Sequence, residues 1–425
     1  MRKRSALLVV ALALLASACG SRGVGDDDDA AERTLDTFGA QYAAAAAEDG
    51  VTADTITIAN LADLTGPVPG LFKAAQDGMK AFVAYTNSQG GVLGRQLELQ
   101  TYDTNTNATE HRIATTQACN EAFAIVGSFS VGDNGGASVG EECGIPNIID
   151  TATSPQAAEA EGTFAPVPVQ PNLWPEGPIK WIKDVYPEAV EHAGIIAIDN
   201  PITILNGERL VKTAEHLDYT FDYVEKSPAV ESNFAPYVVD MRNRGVQYLT
   251  WSGESQNLVR LMEALQQQNF RPDVVQFDAV AYNQGFLRQA GDAAEGILIP
   301  LNVALLEEAD GNPEMQKYLE WLEKTVPGAQ PDIFGIYSWS AGLLFVKALE
   351  QAAEADREAV LRALEDIHQW DGNGLHAPTD PGAGIPANCF VMVRAHDGRF
   401  ERVYPDSGFD CDSDLYEVPD IGEGL

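Results

Sequence analysis

The chain reads as an α/β protein of two lobes, each built on a parallel sheet and joined to the other by a hinge. Three observations predict this. From about Thr55 onward, apolar β-rich segments alternate with helical ones, the pattern that builds a parallel sheet with helices on its faces. Two such arrays follow one another without any short sequence repeat, so the likeness between them is architectural. Between the arrays Pro166, Pro168, Pro171 and Pro175 interrupt the pattern, as a crossover from one lobe to the other requires.

The first elements precede the sheets. Arg2, Lys3 and Arg4 lead into an apolar run over 6–16, too short for the roughly 20 residues a spanning helix needs. Small residues follow, up to Cys19, so 1–18 reads as an export signal. Its end resembles a bacterial lipobox, although Ala16 stands where Leu is commoner. Cys19 is therefore the expected lipidation site, and a diacylglyceryl group there would tether the protein to a membrane face. Residues 19–53, with the acidic run 26–29 and the alanines 43–47, read as a flexible acidic, alanine-rich linker.

Lobe one is expected to begin with 54–172. Its strands are 55–60, 96–102, 122–126 and 147–149. The helix 72–87 carries Ala75, Met79, Phe82 and Val83 at helical spacing and stops at Gln89-Gly90-Gly91. Lobe two follows over 173–296, with strands 194–198, 220–224, 247–251 and 273–277 alternating with helices 206–217, 233–244 and 253–268. An extended piece at 296–301 opens a return to lobe one over 297–384, with helices 313–326, 334–353 and 356–367. Residues 385–425 are expected to give lobe two a terminal hairpin and tail, because 389–394 and 400–404 flank Asp397-Gly398, a tight-turn pair.

Composition narrows the function. With 63 acidic and 27 basic residues the net charge is −36, so a nucleic-acid partner is excluded for want of a basic footprint. Beyond the export signal the sequence shows no second apolar run long enough to span a bilayer. Of five cysteines, Cys119 and Cys143, and Cys389 and Cys411, suggest two local disulfides, which an exported protein keeps. Metal-ligand spacings (C-x-x-C, H-E-x-x-H) are missing, and no cofactor or metal is expected. Catalysis finds no motif either. Ser130 lies three residues after Gly127 where a nucleophile elbow needs two, and the stretch 131–136 lacks the ending of a phosphate loop.

In open α/β sheets a ligand binds beyond the carboxyl ends of the strands. There lobe one offers the loops 62–67 (with Thr65), 127–132 (Ser128, Phe129, Ser130) and 150–155 (Ala152, Thr153), rich in glycine and hydroxyls. Each leads toward a helix whose first amides lack internal partners, which suits a carboxylate or another polar head group. The same residue types also cap helices, and that reading stays open. Lobe two offers Asn206, Glu254, Asp278 and Tyr282, so a ligand between the lobes would meet hydroxyls and amides on one side and acids with an aromatic on the other. For Glu254 and Asp278, capping is the alternative. Phe72, Phe129, Trp251 and Tyr337 are aromatic candidates for the ligand's apolar part, with core packing as their other reading.

Several short motifs recur in a particular order. They are Leu64-Thr65-Gly66-Pro67, Asp77-Gly78, the stretch 87–95, Tyr102-Asp103, Ala124-Ile125-Val126-Gly127, Cys143-Gly144-Ile145-Pro146, Ala152-Thr153-Ser154-Pro155, Asn206-Gly207-Glu208 and the stretch 290–296. In this order and spacing the chain resembles the type I periplasmic binding proteins of ABC importers, in the group of branched-chain amino acid receptors. The resemblance covers about 55–404 and implies two Rossmann-like lobes that close on a solute and dock on a permease. It points to Ser128, Ser130, Ala152 and Thr153 as holders of the ligand's carboxylate, and to Asp278 for its ammonium. Asn206 stands where amino-acid receptors commonly have Tyr, which leaves amides and aromatic acids beside amino acids as solutes. The implied protein is a non-enzymatic, membrane-anchored receptor acting as a monomer with a permease. A ligand-sensing lipoprotein without transport, or an envelope hydrolase, is the alternative.

Overall fold

The computed structural model describes residues 48–422 and 424–425. The export signal, Cys19 and most of the expected linker lie outside them. Residues 48–53, expected as the end of that linker, belong instead to the folded body. Gly50 accepts the Thr57 amide at 2.7 Å, and Val51 bridges to Ile56. Gly50 also lies so close to the Ala122–Phe123 backbone, at φ +76°, that a side chain there would collide.

The first sheet is laid down by β1 (Thr55–Ala62), α1 (Lys73–Ser88), β2 (Gln96–Asp103), α2 (Ala108–Glu121), β3 (Ala124–Ser128), α3 (Ala137–Cys143), β4 (Asn147–Ile149), α4 (Pro155–Glu159) and β5 (Thr163–Phe164). Its five strands run in the order β2-β1-β3-β4-β5, all parallel. β1 and β3 are buried almost throughout, which explains their unbroken apolar sequence. Because β3 starts later than the sequence suggests, Ser128 closes the strand rather than opening the loop.

The chain then passes through β6 (Leu173–Pro175) and α5 (Gly177–Val185) into β7 (Ala193–Ile198), α6 (Pro201–His216), β8 (Phe221–Ser227), α7 (Ala235–Arg244), β9 (Tyr248–Ser252), α8 (Ser255–Gln267), β10 (Val274–Phe277), α9 (Gln284–Ala290) and β11 (Leu298–Leu301). β11 pairs parallel with β10, so lobe two continues through Leu301 and the return begins later than the expected 297. Only then do α10 (Pro313–Thr325), α11 (Ile333–Ala352) and α12 (Arg357–Glu365) follow, with α11 packed on α1 and β3 of lobe one. The last strands, β12 (Val391–His396), β13 (Arg399–Tyr404) and β14 (Leu415–Glu417), extend lobe two and its tail. The second sheet runs β13-β12-β11-β10-β9-β7-β8, and β14 pairs with β6. The β12–β13 turn is the expected Asp397-Gly398, both residues at positive φ.

α11 meets the length and apolarity of a spanning helix, which the sequence reading had not singled out. Most of it is buried in lobe one, so its composition is that of a core helix. The chain crosses between the sheets after β5, after β11 and between α12 and β12. These crossings are bonded to one another. Thr379 Oγ1 donates to Pro166 O (2.7 Å), the Ala377 amide to Asn302 O (2.7 Å) and the Ala304 amide to Leu375 O (2.8 Å). Disulfides Cys119–Cys143 and Cys389–Cys411 form as expected. The first joins α2 to the end of α3, and the second ties the C-terminal tail to the segment leading into β12.

Candidate functional site

At the carboxyl ends of β1, β3 and β4 the lobe-one loops are drawn together by two acids that sequence reasoning did not single out. Asp63, fully buried, is the first residue after β1. Its Oδ1 accepts Ser130 Oγ (2.9 Å), the Thr106 amide (2.9 Å) and Thr104 Oγ1 (2.5 Å), while Oδ2 accepts the Val131 amide (2.9 Å). One carboxylate thus fastens the loops after β1, β2 and β3. Asp133 does the same for the loops after β3 and β4. Its Oδ2 accepts the amides of Thr153 (2.7 Å) and Ser154 (3.4 Å), and its buried Oδ1 has no partner. Burial pushes the Asp133 carboxyl above its ordinary range, opposed by the hydrogen bonds from Ser154 and Thr153.

The expected ligand holders of this lobe are therefore largely engaged within the protein. Ser128 is buried and its Oγ accepts the Leu61 amide at 2.8 Å. Ser130 Oγ is taken by Asp63 and also accepts the Gly132 amide (3.0 Å). Thr153 Oγ1 donates to Ser130 O (3.0 Å). Exposed Thr65 turns to Asp103, whose Oδ1 and Oδ2 it meets through its amide (3.2 Å) and hydroxyl (2.5 Å). Burial pushes Asp103 upward, yet the Thr65 hydroxyl and three amides outweigh it and hold the carboxyl below the usual range. Ala152 stays half-buried and lines a recess of about 30 Å³ with Ile149, Pro168 and Pro381.

Phe72 and Phe129, two of the aromatic candidates, pack on each other and on a third ring, Phe334 of α11, that the sequence did not single out. Ring centroids lie 4.2 Å apart for Phe72–Phe129, 4.9 Å for Phe72–Phe334 and 4.7 Å for Phe129–Phe334. The trio gathers the start of α1, the β3 loop and the first turn of α11. Beside it Asp332 caps α11 through the Phe334 and Gly335 amides (2.9 and 3.1 Å). Asp150, at the end of β4, is fully buried with both carboxyl oxygens unpartnered. Burial, then repulsion from Asp332, drives Asp150 well above its ordinary range, and burial pushes Asp332 up to about 6.

In lobe two capping prevails. Asn200 caps α6, accepting the amides of Ile202 (3.0 Å) and Thr203 (3.1 Å). α6 begins five residues before Asn206, which sits inside the helix and accepts Arg209 Nη1 at 3.2 Å instead of opening a loop. Glu254 caps α8 through the Asn257 amide (2.8 Å) and the Gln256 amide, and burial raises its carboxyl. Tyr282 is buried, donates to Glu307 and accepts the Leu306 amide (2.8 Å), so it anchors the short 3-10 turn after β11, where the chain crosses back to lobe one. Burial raises its hydroxyl further beyond its ordinary range. Trp251 packs on Phe234 (5.9 Å), and Tyr337 donates to Asn302 (2.6 Å) in the hinge; both are structural. Asp278 differs. It accepts the Val280 amide (3.0 Å) through Oδ1, is solvent-accessible, and is hemmed by enough protein that burial pushes its carboxyl up to about 7.

These loops sit at the strand ends of two sheets joined by three crossings, and the profile of the periplasmic binding protein family matches residues 55–399. The chain belongs to that family. Its members bind solutes outside the cytoplasm and are not enzymes. The chain is 24% identical over 348 residues to the leucine-, isoleucine-, valine-, threonine- and alanine-binding protein of Pseudomonas aeruginosa, covering 78% of this chain and 88% of that relative. In structure it is similar to a leucine binding protein, LivK, of Thermotoga maritima (TM-score 0.69, 17% identity, 82% of this chain and 98% of that one). It is also similar to a fatty acid ABC transporter substrate-binding protein of Thermomonospora curvata (TM-score 0.71, 18% identity, 87% and 94% covered). These likenesses share a fold.

Proposed function

We propose that this periplasmic binding protein is the solute-binding lipoprotein of an ABC importer, anchored through Cys19. It takes a small polar solute, an amino acid or a related carboxylate or amide, between its lobes and delivers it to a permease. The observation that carries the reading is the gathering of the β1, β3 and β4 loops at one end of the first sheet, on a body in which the crossings between the two sheets are bonded to one another. A ligand can favour closure only through contacts made to both lobes at once, so the lobe-one loops would set capture and Asp278 would respond to closure. The amino-acid receptor named among its relatives supports this solute range.

Thermal unfolding across a panel of amino acids, amides, amines and organic acids tests the reading. A binder gains stability as RT ln(1 + [L]/Kd) while the solute stays intact. Consumption of a stabilising solute, or no stabilisation by any member of the panel, would reject it. Release of the protein from membranes by Cys19→Ser tests the anchor, and continued retention would reject that part.

A further inference from the structure

In lobe one, the amide expected to hold a ligand's carboxylate is already held by a carboxylate of the chain itself. Asp133 Oδ2 lies 2.7 Å from the Thr153 amide and 3.4 Å from that of Ser154. The neighbouring Val131 amide and Ser130 hydroxyl are taken by Asp63 at 2.9 Å each. A ligand carboxylate brought to this loop would lose those donors to the two aspartates and would stand against their charge, as two carboxylates sharing one site do. What remains beside them is apolar and acidic. The Phe72, Phe129 and Phe334 rings form one cluster, and Asp133 Oδ1 is buried without a partner. At the corresponding strand ends of lobe two, Ile202, Ile204 and Leu205 in the first turns of α6 are half-buried, and Asp278 is accessible to solvent. Acceptors without an answering donor favour an ammonium or an amide N–H over an anion.

We infer that the receptor selects small amines or amides with an apolar body and rejects free carboxylates, with Asp133 standing where the carboxylate of an amino acid would sit. This rests on the receptor reading above and narrows its solute class. Asp278 then receives the ligand's donor group when the lobes meet.

Calorimetry on the full-length protein with four probes of one carbon skeleton tests the inference: leucine, leucinamide, isoamylamine and isocaproate. At mildly alkaline pH, leucinamide and isoamylamine are expected to bind, and leucine and isocaproate to bind about 100-fold more weakly or not at all. Asp133→Asn keeps an oxygen for the Thr153 amide and removes the charge, so leucine and isocaproate should gain about tenfold or more relative to wild type. Asp278→Asn should weaken isoamylamine by about tenfold without improving isocaproate. Circular dichroism of both variants checks that they fold, and the wild-type probe series stands on its own if either does not. Leucine binding wild type as tightly as isoamylamine would overturn the inference and leave the receptor reading intact. Binding by none of the four would also overturn it, and the receptor reading falls only if the broader solute panel fails as well.

Discussion

The two lobes solve the same problem, a row of loop ends at the edge of a parallel sheet, in different ways. In lobe one, Asp63 and Asp133 each reach across loops, so the ends of β1, β2, β3 and β4 are cross-linked through carboxylates before any ligand arrives. In lobe two, Asn200, Glu254 and Asp278 each cap the helix or turn that follows their own strand. Cross-loop ties there come from groups other than acids, from Ser252 Oγ to Thr203 O at 2.8 Å and from Asn257 Nδ2 to Ala229 O at 3.0 Å. An acid spent on several loops builds a rigid receiving surface. Asp278, spent on the Val280 amide through Oδ1, leaves its second oxygen for something else. Lobe one is thus the half tied together by acids, and under the proposed function lobe two is the half that answers to a ligand.

The sharpest way to break this contrast is at Asp63. Asp63→Ala strands several buried donors at once and should cost about 4 kcal/mol in chemical denaturation. A loss comparable to that of an ordinary helix cap would mean that the loops hold without it. Reduction is next. Cys119–Cys143 closes 24 residues in lobe one and Cys389–Cys411 closes 22 in lobe two. Each should be worth about 3 kcal/mol by loop entropy, so reduction should not distinguish the lobes. A marked difference between single-disulfide variants would show that the lobes unfold separately.

Acid should distinguish them. His111 is buried in lobe one, where burial lowers it to about 4, whereas His192 and His216 of lobe two are exposed. A histidine that folds neutral takes up its proton more readily when unfolded, so its stabilisation is complete above the unfolded value of 6.5 and is lost as pH falls toward about 4. At full protonation the loss is about 3 kcal/mol, and His111→Gln should flatten the decline over that window. An unchanged pH profile would refute the assignment. The smallest effect is expected at Glu254→Ala, which removes one cap from lobe two at about 1 kcal/mol, and a loss as large as at Asp63 would erase the contrast.

Much of the fold was legible because it rests on periodicity. Long runs such as β1, β7 and α11 are buried on most sides and announce themselves as apolar stretches, and Asp397-Gly398 fixed its hairpin through backbone geometry. β11 was harder to assign, since an apolar strand of four residues says nothing about which sheet it joins. The α6 start lies earlier than the expected 206 because Asn200-Pro201, a pair common in loops, here serves as a cap followed by the favoured first helical residue. At the candidate site, the sequence named the lobe-one loops and two of the three rings that cluster, Phe72 and Phe129. It did not foresee that Ser128, Ser130 and Thr153 would be engaged internally. Their partners, Asp63 and Asp133, are ordinary among 63 acids until folding brings them beneath amides from distant loops. Phe334 lies some two hundred residues from Phe129 in sequence, roughly the span of a whole domain, and no local pattern links them.

The most direct measurement is amide hydrogen exchange at Val131 and Thr153 in the ligand-free protein, compared with Asp63→Asn and Asp133→Ala. Both amides should be protected in wild type without any solute, and Thr153 should lose its protection in Asp133→Ala while Val131 keeps its own. Exchange of Thr153 in ligand-free wild type at the rate of an open loop would contradict the view that the chain's own carboxylate fills the place where a ligand's would bind.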